Sequence, residues 1–122
     1  MVGWMYLAYG IAFALSPVKM ALLVTGGSPE TASGLIDMRA TYGGVTFAVG
    51  AIILLLGRHA ATRAQALLVA AVVLAAMAIA RAIGIVLDGD ASGLMYLSLG
   101  AEIFGAVIAE WMRRKVTVAD RQ

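Results

Sequence analysis

The chain has 122 residues, of which 62% are hydrophobic and only 13% are charged. Soluble domains average about half apolar and about a quarter charged residues. So few charges exclude an ordinary soluble domain and predict a single integral membrane domain. The net charge of +2 comes from sparse basic residues without interleaved aromatic residues, which argues against nucleic acid as a partner. The absence of cysteine excludes disulfides and thiolate metal sites.

The first apolar segment covers residues 2–24 and contains Pro17 and Lys19. A helix over Val2–Leu15 alone would be about 21 Å long, which is short of the roughly 30 Å hydrocarbon core of a bilayer. We therefore expect one helix over residues 2–24, kinked near Pro17, with Lys19 reaching outward. The alternative is a short helix followed by an interfacial piece over residues 18–25.

Three further apolar segments of about 20 residues follow a loop. In that loop "SPE" predicts a helix start, with Ser28 as the N-cap and Pro29 at the first helical position. The apolar segments lack the period-two alternation of barrel strands. The sequence therefore predicts an all-α, integral membrane four-helix bundle. After the first segment, its further spans are expected at residues 35–56, 66–87 and 94–112. A polar C-terminal tail is expected at residues 113–122.

Basic side chains gather on one predicted side of the membrane. With four spans, both termini and the middle loop share that side, whereas the other side carries Lys19 and the acidic turn "DGDASG". The positive-inside rule then predicts cytoplasmic termini. The basic residues are Arg58, Arg63, Arg113, Arg114, Lys115 and Arg121, and the aromatic residues expected at this interface are Trp4, Tyr6 and Trp111.

Small residues recur every fourth position in two spans, a spacing that lets transmembrane helices approach closely. They are Ala40, Gly44 and Ala48 in the second span, and Ala101, Gly105 and Ala109 in the fourth.

Charged residues also occur inside three spans, at similar depths in the outer half. Arg81 precedes Asp88 by seven residues, so it lies roughly 10 Å below the outer surface, and Glu102 lies at a similar depth. An isolated charge near the middle of a bilayer costs roughly 2.5–3.5 kcal/mol, which favours pairing. Arg81 and Glu102 are the expected pair, because the hairpin makes their helices antiparallel neighbours. Arg39 lies in the outer half of the second span.

If Arg39 faces inward, these residues form a polar pocket that opens outward. The candidate binding residues are Arg39, Tyr42, Arg81, Asp88 and Glu102. The alternatives are that Arg81 and Glu102 only clamp two helices, that Asp88 is a turn residue, and that Tyr42 is an interfacial aromatic.

Two other charged groups are interpreted as having no specific role. Glu110 forms a surface set with Arg113 and Arg114 at spacings of three and four residues. His59 has no neighbouring ligand cluster, so neither a metal nor a cofactor is predicted.

Three elements resemble a known family: "DMRATYGG" at residues 37–44, "RAIGIVLDG" at residues 81–89, and the lone Glu102 of the last span. They are similar to an uncharacterised bacterial family of small four-helix membrane proteins, a domain of unknown function that is distantly DoxX-like. The resemblance covers nearly the whole chain. It implies the fold, a multi-pass location in the bacterial inner (cytoplasmic) membrane and a shared polar core, but no activity.

The sequence favours a binding protein or an accessory subunit without catalytic residues, because no nucleophile or phosphate-binding motif accompanies the polar cluster. The expected partners are the lipid bilayer and either a lipophilic or anionic small molecule or a larger membrane complex, and the oligomeric state stays open. The alternative is a small membrane enzyme of the isomerase, hydratase or cyclase type, with Glu102 or Asp88 as acid or base. Transport is the least favoured reading, because no broken-helix pair or inverted repeat is visible.

Overall fold

The computed structural model describes residues 1–119, which form helices joined by short loops, with no strand among them. This confirms the all-α prediction. Three of the helices are long and apolar enough to span a membrane. The number rises to four if the two bent helices at the start of the chain together count as one span. The chain divides into two compact units, Met1–Leu54 and Leu55–Gln122.

The first apolar segment forms two helices rather than the expected single kinked one. Helix α1 covers Val2–Leu15, helix α2 covers Pro17–Thr25, and their axes are bent by 118°. The break lies at Ser16, whose φ of −136° and ψ of 60° leave the helical region. A residue before proline is driven out of that region, whereas proline itself fits the first position of a new helix.

The next helix is continuous over Ala32–Gly57. It begins at Ala32 rather than directly after Ser28, because the Thr31 hydroxyl accepts a hydrogen bond from the Gly34 N–H at 3.1 Å and so caps the helix. The three parts of this helix are α3 at Ala32–Met38, a π-helical segment at Arg39–Val45 and α4 at Thr46–Gly57.

Helix α1 packs antiparallel against this long helix through glycines. A Cβ atom on Gly10 would lie 2.5 Å from the backbone nitrogen of Phe47, and one on Gly50 would lie 2.7 Å from the carbonyl oxygen of Gly3. Real Cβ atoms do not approach other atoms so closely. The two backbones therefore touch, which is the packing mode that small residues allow between apolar helices.

The contact face of the long helix differs from the predicted one. Ala40, Gly44 and Ala48 are exposed, whereas Gly43 and Gly50 are buried against α1. A π-helical turn closes i to i+5 hydrogen bonds and holds more residues than an α-helical turn. A four-residue spacing therefore does not stay on one face through this segment.

The second unit is a helical hairpin. After a 3₁₀ turn at Ala60–Thr62, α5 covers Arg63–Asp88 and α6 covers Gly93–Ala119. Of the small residues predicted to pack in the fourth span, Ala109 is buried and a Cβ atom on Gly105 would lie 2.9 Å from Leu74 Cδ1, whereas Ala101 is exposed.

The polar tail expected at residues 113–122 continues α6 as helix up to Ala119. The remainder of that predicted tail, residues 120–122 with Arg121, lies outside the described residues.

Replacing Gly10 by alanine is expected to push α1 away from the long helix, because the new methyl group would overlap the Phe47 backbone. Overpacking of this kind costs about 1–3 kcal/mol, which thermal unfolding of the purified protein in detergent would show as a lower melting temperature. Gly100→Ala is the matched control, since a Cβ atom there meets nothing within 4 Å. Equal melting temperatures for both variants would contradict this packing.

Candidate functional site

An ion pair between Arg81 and Glu102 joins α5 to α6. Arg81 Nη2 donates to Glu102 Oε1 at 2.6 Å, and Nε donates to Oε2 at 3.0 Å, so both carboxylate oxygens accept hydrogen bonds. Within residues 1–119, Glu102 is the only buried charged or polar residue, with 6% of its surface exposed. The Arg81 side chain is 22% exposed. A buried carboxylate with a bidentate guanidinium partner is the arrangement that makes such a charge tolerable.

The hairpin sets this pairing. Asp88 ends α5 and Gly93 begins α6, and the short turn between them uses positive φ values of 67° at Gly89 and 49° at Asp90. Arg81 and Glu102 lie seven and nine residues from these helix ends, about 10 and 13 Å along the two axes. The structure therefore brings together the two residues that the sequence predicts to pair.

A methionine adds a contact that sequence reasoning did not identify. Arg81 Nη1 donates to Met95 Sδ at 3.1 Å. Met95 is the third residue of α6 and precedes Glu102 by seven residues, so both lie on the same face of this helix. This spacing was the available signal, but a thioether is a weak acceptor and is rarely considered as an arginine partner.

Arg39 and Tyr42 belong to the first unit, where both contact the end of α1. Arg39 Nη1 donates to the carbonyl oxygen of Ala14, and the Tyr42 ring stacks on Phe13 with a centroid separation of 5.2 Å and an angle of 25°. The last carbonyls of a helix lack intrahelical donors, and a cation there is also favoured by the helix dipole. Arg39 therefore caps α1 where Ser16 interrupts it.

Asp88 is the last residue of α5 and is exposed. Its Oδ2 atom lies 3.7 Å from the position of a Cβ atom on Gly84, along the helix toward Arg81. The structure does not place Asp88 in the ion pair, and its position at the helix end fits the turn-residue alternative. Arg81, Asp88 and Glu102 are thus the candidate residues of the second unit.

The predicted surface set at the far end of α6 is also present. Glu110 Oε2 accepts from Arg113 Nε at 2.6 Å, and Glu110 Oε1 accepts from Arg114 Nε at 2.8 Å. Beside it, sequence reasoning missed a groove of about 550 Å³ between α5 and α6. The available signal was the set of alanines on the facing sides of both helices.

The family model described as Domain of unknown function (DUF4345) matches residues 1–112. The chain belongs to this family. The match covers every candidate site residue and assigns no activity to any of them. No curated protein and no solved structure matches the chain.

Replacing either partner of the buried pair is expected to destabilise the protein strongly. Arg81→Leu leaves the Glu102 carboxylate buried without its cation, and Glu102→Leu leaves Arg81 without its anion, each at a cost of about 3–5 kcal/mol. The double replacement should recover much of this loss, because two apolar side chains need no partner. Thermal unfolding in detergent measures all three variants.

The exposed set on α6 provides the control. Glu110→Gln removes a carboxylate that binds two arginines, but the Glu110 side chain is 30% exposed and solvent screens its charge, so little stability should be lost. Additive losses in the Arg81 and Glu102 double variant, or an equal loss from Glu110→Gln, would contradict a buried, coupled pair.

Proposed function

We propose that this chain is a four-helix, distantly DoxX-like protein of the bacterial inner (cytoplasmic) membrane, with both ends of the chain in the cytoplasm. Several helices long and apolar enough to span a membrane support this placement. Arg58 and Arg63 lie between two of these helices, and the Arg113–Lys115 run lies near the end of the last one. By the positive-inside rule, these basic positions favour the cytoplasmic side.

The packing within each unit supports a common side for the two ends. In the first unit, a Cβ atom on Gly3 would lie 2.8 Å from Leu54, so α1 begins beside the end of the long helix that Arg58 follows. In the second unit, the antiparallel hairpin places Arg63 and the Arg113–Lys115 run at the same end.

The break at Ser16 supports the interfacial alternative for α2. Helix α1 is about 21 Å long by its 14 residues, and a bend of 118° turns α2 partly back, so α1 makes the first crossing alone. A crossing helix shorter than the hydrocarbon core is accommodated by local thinning of the bilayer. If α2 lies obliquely at the boundary between water and hydrocarbon, the Lys19 ammonium can reach water while the exposed Leu22 and Leu23 side chains contact the hydrocarbon.

Single cysteines test this topology, because the native chain has none. In intact cells, a membrane-impermeant maleimide is expected to label Gly27→Cys and Ser92→Cys. It should label Val2→Cys and Ala61→Cys only after the membrane has been permeabilised. Labelling of Val2→Cys in intact cells would contradict a cytoplasmic N-terminal end, and labelling of all four would contradict membrane placement.

The protein acts by binding rather than by catalysis. The observation that carries this conclusion is that both oxygens of Glu102 already accept hydrogen bonds from Arg81. A general base needs an oxygen within reach of the proton that it removes. Glu102 could serve as one only after releasing Arg81, and Asp88 is exposed at a helix end, without the burial that usually tunes a catalytic carboxylate. The enzyme alternative thus requires a rearrangement that binding does not.

The proposed binding residues are Arg81, Asp88 and Glu102 near the turn of the hairpin in the second unit, and Arg39 and Tyr42 are separate candidates in the first unit. Arg39, Tyr42 and Asp88 are exposed, and Arg81 is partly exposed while it holds Glu102. Cationic side chains in a largely apolar environment suit a lipophilic molecule with an anionic group, or an acidic segment of a larger membrane assembly. Docking as an accessory subunit uses the same chemistry.

A charge swap separates binding from clamping. Arg81→Glu with Glu102→Arg preserves an ion pair between α5 and α6 but moves the cation to the other helix. We expect the swapped protein to stay folded in detergent and to lose the small molecule or partner protein that co-purifies with the native chain, as detected by native mass spectrometry. A native chain recovered without any bound species, or a swapped chain that retains the same species, would contradict the proposal.

A further inference from the structure

The groove on the α5–α6 hairpin lies toward the end opposite the "DGDASG" turn. Its floor consists of alanines, Ala71, Ala75 and Ala106, and the exposed side chains of Val72 and Val107 line it. From position 106 to position 114 it follows α6 for about 12 Å. That length is close to half of the roughly 30 Å hydrocarbon core, so the groove has the depth of a single leaflet.

The groove ends at a basic set of side chains. Arg114 is 75% exposed and donates from Nε to Glu110, and Lys115 Nζ lies 3.8 Å from the centre of the Trp111 ring. Together with Arg113, these side chains carry three positive charges, and Glu110 carries the one negative charge paired with them. The apolar groove therefore leads directly to a net positive end marked by a tryptophan, a residue that prefers the membrane–water boundary.

We propose that this groove binds an anionic phospholipid of the inner leaflet, with one acyl chain on the alanine floor and the phosphate at Arg114 and Lys115. Within residues 1–119, the Arg114 guanidinium is bonded only through Nε, so its terminal nitrogens can bind a phosphate. Basic pockets between helices on the cytoplasmic side are suited to anionic headgroups. This proposal rests on the membrane placement above but not on binding at Arg81, Asp88 and Glu102.

Charge disfavours a second copy of the chain as the occupant. Two copies in one membrane share their orientation, so a second hairpin in the groove would bring its own Arg113–Lys115 run to the same depth. Like charges placed together at an interface are costly. An anionic lipid instead fills the groove and neutralises the basic end with one molecule.

Tryptophan quenching by brominated lipids tests the proposal. The chain has two tryptophans, so Trp4→Phe leaves Trp111 at the groove as the only one. The full chain with this change is reconstituted in vesicles that contain brominated phosphatidylglycerol or brominated phosphatidylcholine. We expect at least about fivefold tighter association of the anionic lipid, since each basic side chain near a charged membrane surface contributes about 1 kcal/mol. The preference should weaken at high ionic strength.

Paired variants locate the headgroup site. In the same background, Arg114→Gln with Lys115→Gln should reduce the preference to about one. Arg58→Gln with Arg63→Gln removes the same charge from the same side of the membrane without touching the groove, so its preference should persist.

A second pair of variants tests the groove itself. Ala106→Phe fills it and should lower the association of brominated phosphatidylglycerol severalfold, whereas Ala101→Phe, on an exposed position outside the groove, should leave it unchanged.

Equal quenching by the two lipids in the parent protein would overturn the proposal, because it would indicate unselective lipid contact. An anionic preference that survives in the Arg114 and Lys115 variant would also overturn it. So would a stable complex in which a partner protein shields Trp111 from both lipids. Failure of membrane placement would be recognised separately from the cysteine labelling pattern.

Discussion

The burial of one carboxylate constrains the arrangement of the second unit. Glu102 is buried and accepts hydrogen bonds from Arg81 with both oxygens. In a medium of low dielectric, an unpaired carboxylate would be far more costly than any packing contact in the hairpin. The pair therefore stabilises the register of α5 and α6 that the turn sets, and the groove forms between the helices in that register. It is also the reason why a catalytic role for Glu102 is disfavoured.

A different constraint organises the first unit. Pro17 forces Ser16 out of the helical region, and the resulting end of α1 leaves carbonyl groups without donors. Arg39 supplies a donor to Ala14, and Tyr42 stacks on Phe13. The element "RATYGG" makes up most of the π-helical segment Arg39–Val45, from which both side chains contact α1. Part of this family resemblance thus has a structural explanation, independent of any ligand.

Charge is distributed unevenly along the α5–α6 hairpin. Toward the turn, a single cation is paired with a buried anion, so little net charge remains beyond the exposed aspartates. At the opposite end, three cations outnumber Glu110 beside an open apolar groove. Pairing suits groups inside an apolar span, whereas an excess of positive charge suits a boundary with anionic lipid. The two ends of the hairpin therefore differ in net charge, with a buried ion pair near the turn and an excess of positive charge at the opposite end.

The all-α class, the approximate positions of the long apolar helices and the partnership of Arg81 with Glu102 followed from the sequence, because segment length, hydropathy and the cost of an unpaired charge are local properties. The break at Ser16, the π-helical face and the contacts of Arg39 and Tyr42 did not. A proline signals a kink or a break equally well, and only the packing of α1 decides between them. The prediction that Ala40, Gly44 and Ala48 form a packing face requires a regular α-helix. In the structure, the long helix instead contacts α1 through the face that carries Gly43 and Gly50, opposite Gly10 and Gly3. The groove likewise needed two helices in register, since neither face forms a cavity alone.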